Sequence, residues 1–246
     1  MDVDRRLTQL SDEFAALDLR QMQQAGRYTD WIARQIRPHC GPRILEVGAG
    51  IGNLTARLLN HAEYVCALEP NAACFESLRL GLEAAAGFEC RPWRIEDCDV
   101  AFTASRRVDT IVCVNVLEHV EDDLQALRQF RAMLCGPVGR LVLLVPAVPA
   151  AYGSIDAALG HYRRYSPARL RSILRQAGFS IGSLRYSNPI GLLGWFVNAR
   201  IIGRVQQSDA QIWIFDRLVV PWYSQLERFM PPPIGLSLIA AAQTEQ

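Results

Sequence analysis

Short apolar segments alternate with amphipathic helical segments through the middle of the chain, and this alternation restricts the fold more than any other feature. The segment 108–114 (VDTIVCV) carries no charge after Asp109, as expected for a strand buried on both faces. Repeated strand–helix units predict a parallel sheet with helices on both faces, and right-handed crossovers restrict it to doubly wound strand orders. These predicted strands are 43–47, 64–69, 88–95, 108–114 and 140–145.

The two ends of the chain depart from this alternation. Residues 4–37 are predicted to be helical, because their apolar residues recur at helical spacing. Further strands are predicted at 179–185 and 235–241, separated by an apolar and aromatic stretch at 189–230. We therefore predict an α/β fold with a doubly wound, mostly parallel, seven-stranded sheet. The expected single domain, 1–246, comprises an N-terminal helical cap (1–40), a Rossmann-like core (41–188 and 234–246) and a helical insertion (189–233) before the last strand.

Composition argues against several classes of protein. The formal net charge is +1 at pH 7, which gives no electrostatic reason to expect nucleic-acid binding. All 26 basic residues are arginine, so a phosphate-loop lysine and a Schiff-base lysine are both excluded, and a GC-rich bacterial genome is indicated. The seven cysteines form no Cys-x-x-Cys pair, which favours reduced thiols over a zinc site or disulfides. With no signal peptide or transmembrane segment expected, we predict a cytoplasmic protein.

A glycine-rich turn follows the first predicted strand. In the segment 44–52 (ILEVGAGIG), Glu46 precedes a Gly-x-Gly-x-Gly turn. Glycine lets the backbone approach a ligand closely, and doubly wound folds bind cofactors at this strand end. A dinucleotide fingerprint would place Gly or Ala where this chain has Asn53, and its pyrophosphate would need the helix N-terminus. A sulfonium cofactor has no phosphate, and its amino group favours a nearby acid, so the pattern favours S-adenosylmethionine over NAD.

A second acid, Glu69, ends the second predicted strand and is followed by Pro70 and Asn71. A carboxylate at this place can accept hydrogen bonds from both hydroxyls of a ribose. Dinucleotide and sulfonium cofactors share that requirement, so Glu69 predicts a bound nucleoside without identifying it.

Several motifs occur together along the chain. The motifs ILEVGAGIG, ALEPN, VDTIVCVNVLEHVEDD and GPVGRLVLLVP lie within residues 43–146. Together they resemble those of class I S-adenosylmethionine-dependent methyltransferases. Residues 147–241 resemble one bacterial branch of that family, often encoded near glycosyltransferase or natural-product genes, through AYGSIDAALGHYRRYS, SNPIGLLGWFVNAR and PPPIGLSLIAAA. The resemblance implies methyl transfer to O or N of a small-molecule acceptor, such as a secondary metabolite or a sugar or lipid intermediate, with S-adenosylhomocysteine as product.

The resemblance also implies which residues contact the cofactor. The family often has an acid that contacts the adenine amino group where this chain has Arg94. Glu96, Asp97 or the backbone of Ile95 would then take over that contact. The resemblance implies Glu46, Gly48 and Gly50 around the methionine part and Glu69 at the ribose. It implies Pro70, Asn71, Ile95 and Glu96 near the adenine, and Asn115, Val116 and His119 near the sulfur and methyl. Ala49 and Asn53 are further expected cofactor-binding residues.

Polar and aromatic residues at 161–165 (HYRRY) follow the fifth predicted strand, on the side where this fold places the acceptor. We expect His161 to be the general base, with Tyr162 beside it and Arg163 or Arg164 binding an acidic group of the acceptor. His119 is either a second catalytic candidate or a structural residue at the start of a helix. A solvated arginine-rich turn is the alternative for 161–165, and no metal site is predicted.

Three questions stay open at the level of sequence. The segment 189–230 could be a lid over the acceptor, a dimer face or a membrane-surface element, so a monomer, a homodimer and peripheral membrane contact are all compatible with it. An NAD-dependent oxidoreductase is the first alternative function, but Asn53 and the absence of lysine argue against it. The second is a non-catalytic protein with the same fold, against which the intact Glu46 and Glu69 argue.

Overall fold

The computed structural model describes residues 25–135, 138–203 and 208–245. Residues 1–24 of the predicted N-terminal cap therefore lie outside the described residues. The rest of the cap contains helix α1 (Gly26–Ile36), which buries Trp31, Ile32 and Ile36.

Seven strands form a single sheet, as the sequence predicts. They are β1 (Arg43–Val47), β2 (Tyr64–Leu68), β3 (Phe88–Arg91), β4 (Thr110–Val114), β5 (Arg140–Pro146), β6 (Phe179–Ser187) and β7 (Ser237–Thr244). Their order is β3-β2-β1-β4-β5-β7-β6. The first five strands pair in parallel, whereas β7 runs antiparallel between β5 and β6. The doubly wound, mostly parallel sheet is thus confirmed. β3 ends earlier than predicted, because a 3₁₀ turn forms at Ile95–Asp97.

Helices cover both faces of this sheet, and side chains that cap their first turns fix where several of them begin. Ser166, for example, accepts a hydrogen bond from the Arg169 backbone N–H at 3.2 Å, immediately before Pro167 in the first turn. The helices before the insertion are α2 (Asn53–Leu59), α3 (Ala72–Leu82), α4 (Val100–Ser105), α5 (Asp123–Met133), α6 (Ser154–Ala158) and α7 (Pro167–Gln176).

Alternate residues of the central strands point to opposite faces of the sheet and form separate apolar clusters. In β1, Leu45 and Val47 contribute to one cluster and Ile44 to the other. Both clusters consist of fully or nearly fully buried side chains. Burial of each such Leu, Ile or Val contributes roughly 1.5–3 kcal/mol. This two-sided core holds the strand ends, and the loops that follow them, in fixed positions.

The predicted helical insertion lies between β6 and β7. It contains α8 (Pro189–Phe196), α9 (Asp209–Ile214) and α10 (Val220–Phe229), with wide π-helical turns at Val197–Ile202 and Phe215–Val219. Asp216 anchors it to α1 by accepting the Tyr28 backbone N–H at 2.8 Å, and the rings of Trp31 and Tyr223 pack edge to face at 6.0 Å. Within the described ranges, no helix is both long enough and apolar enough to cross a membrane.

Candidate active site

A cleft of about 1460 Å³ opens at the carboxyl ends of β1, β2, β4 and β5. Doubly wound sheets bind ligands at this edge, where neighbouring loops diverge. Every residue predicted to contact the cofactor lines this cleft, from Glu46 in β1 to His119 after β4. His161, Tyr162 and Arg164 line the same cleft farther from β1.

The glycine turn after β1 forms the floor of the cleft. Gly48, Gly50 and Gly52 have φ angles of +72°, +58° and +90°, which side-chain-bearing residues rarely adopt. A Cβ atom at Gly48 would lie 2.3 Å from Cγ2 of Val116. The turn and the loop after β4 therefore approach each other closely only because residue 48 has no side chain.

Glu69, immediately after β2, is tied to the same turn. Its Oε2 accepts a hydrogen bond from the Gly50 N–H at 2.7 Å, and its Oε1 accepts one from the Asn71 N–H at 2.8 Å. A carboxylate is also the kind of group that accepts hydrogen bonds from ribose hydroxyls. Glu69 can thus fix the turn and receive a ribose at the same time.

Glu46 has a different environment, although it also lines the cleft. Its side chain is buried, and its Oε2 has no hydrogen-bond partner among the described residues. Burial raises the pKa of Glu46 to about 8, and the nearby charge of Glu69 adds to the rise. A ligand that brings a positive charge to this point would stabilise the ionised carboxylate.

At the predicted adenine end, two side chains are engaged in capping. The Asn71 Oδ1 accepts the N–H groups of Ala73 and Cys74, both at 3.1 Å, and so caps α3. Asp97 accepts the Arg94 backbone N–H at 3.1 Å and does not line the cleft. Of the two acids considered for the adenine contact, the structure places Glu96 on the cleft.

The loop after β4 carries the residues predicted to lie near the methyl group. Asn115 has a φ of +53°, and its N–H donates to the Leu144 carbonyl of β5 at 2.8 Å. This turn directs Val116 towards Gly48 and leaves the His119 ring exposed within the cleft. Desolvation by the cleft walls lowers the pKa of His119, and the neighbouring His161 lowers it further.

His161 is held by an aspartate that sequence analysis did not single out. Its Nδ1 lies 2.9 Å from Oδ1 of Asp156 in α6, and that oxygen also accepts a 2.7 Å hydrogen bond from Nε of Arg164. Asp156 is fully buried, and these contacts hold its pKa below the usual range although burial alone would raise it. The sequence contained one signal for this contact, because Asp156 and His161 lie close together in the chain, in and just after a short helix.

Glu118 is the second site residue to which sequence analysis gave no role. It is fully buried, and neither carboxylate oxygen has a hydrogen-bond partner among the described residues. Its Oε1 lies 4.0 Å from Nε2 of His161, and the His161 ring packs edge to face against His119 at 4.7 Å. Burial raises the pKa of Glu118 to about 7. The sequence predicted no metal site, yet the fold brings these three ligand-type side chains together.

Arg163 departs from its predicted place. Its guanidinium pairs with Asp123 at 3.0 Å and donates to the Glu121 carbonyl at 2.7 Å, so it does not line the cleft. The buried acid at the start of α5 draws it away from the predicted acceptor side. Arg164 does line the cleft but is buried and paired with Asp156. Tyr162 is largely exposed and lines the cleft beside His161.

The insertion supplies an apolar wall opposite the glycine turn. Trp195 of α8 donates from Nε1 to Oδ2 of Asp156 at 3.3 Å, and the Arg164 guanidinium lies 4.6 Å from the centre of its ring. The insertion is thereby linked directly to the residues that hold His161. The apolar and aromatic residues that it contributes to the cleft are Ile190, Leu193, Trp195, Ile212, Ile214, Phe215 and Val219.

Comparison with known proteins agrees with this arrangement. A family model described as a methyltransferase domain matches residues 45–141. A ubiquinone biosynthesis O-methyltransferase from Xylella fastidiosa is 30% identical over 174 residues, which cover 64% of this chain and 69% of the relative. A protein of the same name from Xanthomonas axonopodis pv. citri is 26% identical over 193 residues, covering 72% and 77%. The structure of an S-adenosylmethionine-dependent methyltransferase from Mesorhizobium loti superposes with a TM-score of 0.59 at 16% identity, covering 85% of this chain and 96% of that one.

Proposed function

Because this chain belongs to the family of S-adenosylmethionine-dependent methyltransferases, we propose that it methylates a hydroxyl oxygen of a largely apolar small molecule. The observation that carries this proposal is the layout of one cleft. Glu46, the glycine turn and Glu69 line one part, and the imidazoles of His119 and His161 line another. Similarity to O-methyltransferases supports oxygen as the methylated atom.

The residues of the first part fit the cofactor. The Oε2 atom of Glu46, which has no hydrogen-bond partner among the described residues, suits an ammonium group, and the backbone at Gly48 leaves room for close approach. Glu69 supplies a carboxylate, the kind of group that accepts hydrogen bonds from ribose hydroxyls. When bound, S-adenosylmethionine supplies a methyl group on a cationic sulfur. The protein's own task is then to position the acceptor and exclude water.

The residues of the second part suit a hydroxyl acceptor. Asp156 accepts the Nδ1 proton of His161, which leaves a lone pair on Nε2. That lone pair can either accept the hydroxyl proton itself or bind an ion to which the hydroxyl oxygen coordinates. Withdrawal of the proton by a positioned group typically contributes about 10²–10⁴-fold to the rate. The apolar wall from the insertion favours an acceptor that is aromatic or carries an aliphatic tail.

The nature of the acceptor can be tested with labelled S-adenosylmethionine. The enzyme transfers the labelled methyl group into an extract of the source organism, and the labelled products are identified by mass analysis. We expect the label on oxygen of an apolar product. Label on nitrogen, or no transfer to any fraction, would contradict the proposal.

His161→Ala tests the residue predicted as base. We expect S-adenosylhomocysteine to bind with unchanged affinity, because His161 lies outside the glycine turn, and methyl transfer to fall at least about 100-fold. His61→Ala is the matched control, since this histidine lies on the surface beside Arg37, away from the cleft. Unchanged turnover of the His161 variant would remove this residue from the mechanism.

The cysteines bear on the compartment. All seven are free thiols in the structure. Reduced cysteines are typical of proteins in the cytoplasm. We propose that the reaction takes place there, which fractionation of the source organism would test.

A further inference from the structure

Glu118, His119 and His161 place one carboxylate and two imidazoles at a single point of the cleft. One ligand atom from each lies within 4.8 Å of the others, and no second group of three such side chains occurs in the described ranges. Carboxylate and imidazole groups are ligands of divalent transition metals, and a set of two histidines and one carboxylate leaves coordination positions open. The open positions here would face the cleft.

The state of Glu118 indicates that a cation is the missing partner. Both of its oxygens are buried without a hydrogen-bond partner among the described residues. A buried charge is costly unless it is paired or coordinates a metal. The nearest cationic candidate, Nε2 of His161, is 4.0 Å away, beyond hydrogen-bond distance. A metal ion between Glu118 and His161 would satisfy the carboxylate.

The environment of His161 is that of a metal ligand. Its Nδ1 lies 2.9 Å from Oδ1 of Asp156, and in the neutral tautomer that donates to this carboxylate the lone pair is on Nε2. Metal-binding histidines almost always donate their other ring N–H to a carboxylate or carbonyl, which fixes the tautomer and raises ligand basicity. Arg164 also pairs with this aspartate at 2.7 Å. The aspartate therefore compensates the positive charge of Arg164 close to the site.

The spacing requires only a small adjustment. Ligands bonded at about 2.1 Å to a tetrahedral ion lie about 3.4 Å apart. The three atoms lie up to 4.8 Å apart and therefore need to close by up to about 1.4 Å, and the exposed side chain of His119 already lines the cleft.

We propose that Glu118, His119 and His161 bind a divalent transition-metal ion that also binds the acceptor hydroxyl. The second half of this proposal rests on the proposed O-methyl transfer. Bound to the ion, the hydroxyl would lose its proton to water near neutral pH. Its oxygen would then form the bond to the methyl carbon, while the electron pair of the broken carbon–sulfur bond stays on the sulfur.

Cobalt(II) is the probe, because its visible absorption reports the nitrogen and oxygen ligands around it. The full chain is stripped with a chelator, dialysed and titrated with Co²⁺ in the absence of cofactor and acceptor. We expect one ion per chain with ligand-field bands. Glu118→Gln and His161→Asn should each weaken binding at least tenfold, and Asp156→Asn by about 10–100-fold. His61→Asn is the matched control and should bind as the wild type does.

Failure of the metal site can be told apart from failure of the methyl transfer. No stoichiometric Co²⁺ uptake, or uptake that Glu118→Gln and His161→Asn leave unchanged, would overturn the metal site. Full methyl transfer by chelator-treated enzyme would also overturn it, while leaving O-methylation intact. If Co²⁺ binds as expected but the methyl label is found only on nitrogen, the proposed function is overturned and the metal site is retained.

Discussion

Glu46 and Glu69 are both buried acids near strand ends, yet their surroundings give them different chemistry. Glu69 accepts backbone N–H groups at both oxygens. Glu46 has an oxygen with no hydrogen-bond partner in the described part of the chain, and burial raises its pKa to about 8. One acid therefore organises the glycine turn, and the other is poised to pair with a cationic ligand.

The raised pKa of Glu46 predicts how stability without cofactor depends on pH. Between pH 4.5 and 8 the folded state holds a proton that the unfolded state has lost, so this group's stabilising contribution falls as pH rises. The Glu46→Gln variant has no ionisable group at this position. As pH increases, its free energy of unfolding should therefore rise relative to that of the wild type, by up to about 1.4 kcal/mol per pH unit. Urea unfolding at pH 5, 6, 7 and 8 measures the difference.

Glu96→Gln is the matched control, because Glu96 is an exposed acid on the same cleft. It should keep the wild-type pH dependence. Parallel curves for wild type and Glu46→Gln would show that Glu46 ionises normally in the fold.

At the scale of elements, the insertion is part of the cleft wall and is held to the rest of the fold by several contacts, of which two involve buried hydrogen-bonding aspartates. Asp216 accepts the Tyr28 N–H of α1, and Trp195 donates to Asp156. The outer side of the insertion exposes large apolar side chains, among them Trp222 at 83% and Phe229 at 78% of their full accessible surface. The side of the insertion that faces the cleft therefore forms part of the cleft lining. This role does not depend on what contacts the outer side.

Removal of the Asp216 anchor should loosen the insertion selectively. In Asp216→Ala the part-buried N–H of Tyr28 loses this acceptor, which costs up to about 1–3 kcal/mol. We expect faster amide hydrogen exchange in α9 and α10 than in the strands of the sheet. Asp209→Ala, at an exposed position in the first turn of α9, should leave exchange unchanged. Equal acceleration across the sheet would instead indicate global destabilisation.

At the scale of the whole molecule, the sheet order explains why residues from separate parts of the chain share one site. β1 lies between β2 and β4, and β5 lies next to β4, so four carboxyl ends meet at one edge. Glu46, Glu69 and Asn115 come from three of these strand ends. The antiparallel β7 enters between β5 and β6, and the insertion that precedes it therefore returns to the same edge.

A ligand that fits this edge should stabilise the entire fold. S-adenosylhomocysteine at about 100 times its dissociation constant should add about 2.7 kcal/mol to the free energy of unfolding. For a chain of this size, that corresponds to a rise in Tm of roughly 5–10 °C. NADH is the control and should leave Tm unchanged in a thermal-shift measurement. A rise with NADH and none with S-adenosylhomocysteine would contradict the assignment of the cofactor.

The sequence alone determined the order of strands and helices, the glycine turn and the acids beside it, because strand periodicity, glycine backbone preferences and strand-end position are local properties. Only the tertiary structure decided that the Glu118 carboxylate lies beside His119 and His161 with no hydrogen-bond partner among the described residues, that Asp156 holds His161 and that Arg163 turns away to Asp123. The contacts of Glu118 with His161 and of Arg163 with Asp123 join residues about 40 positions apart, and all of these distances depend on how loops and the insertion pack on the sheet. Local sequence patterns carry no information about that packing, so no spacing rule could have predicted the cluster.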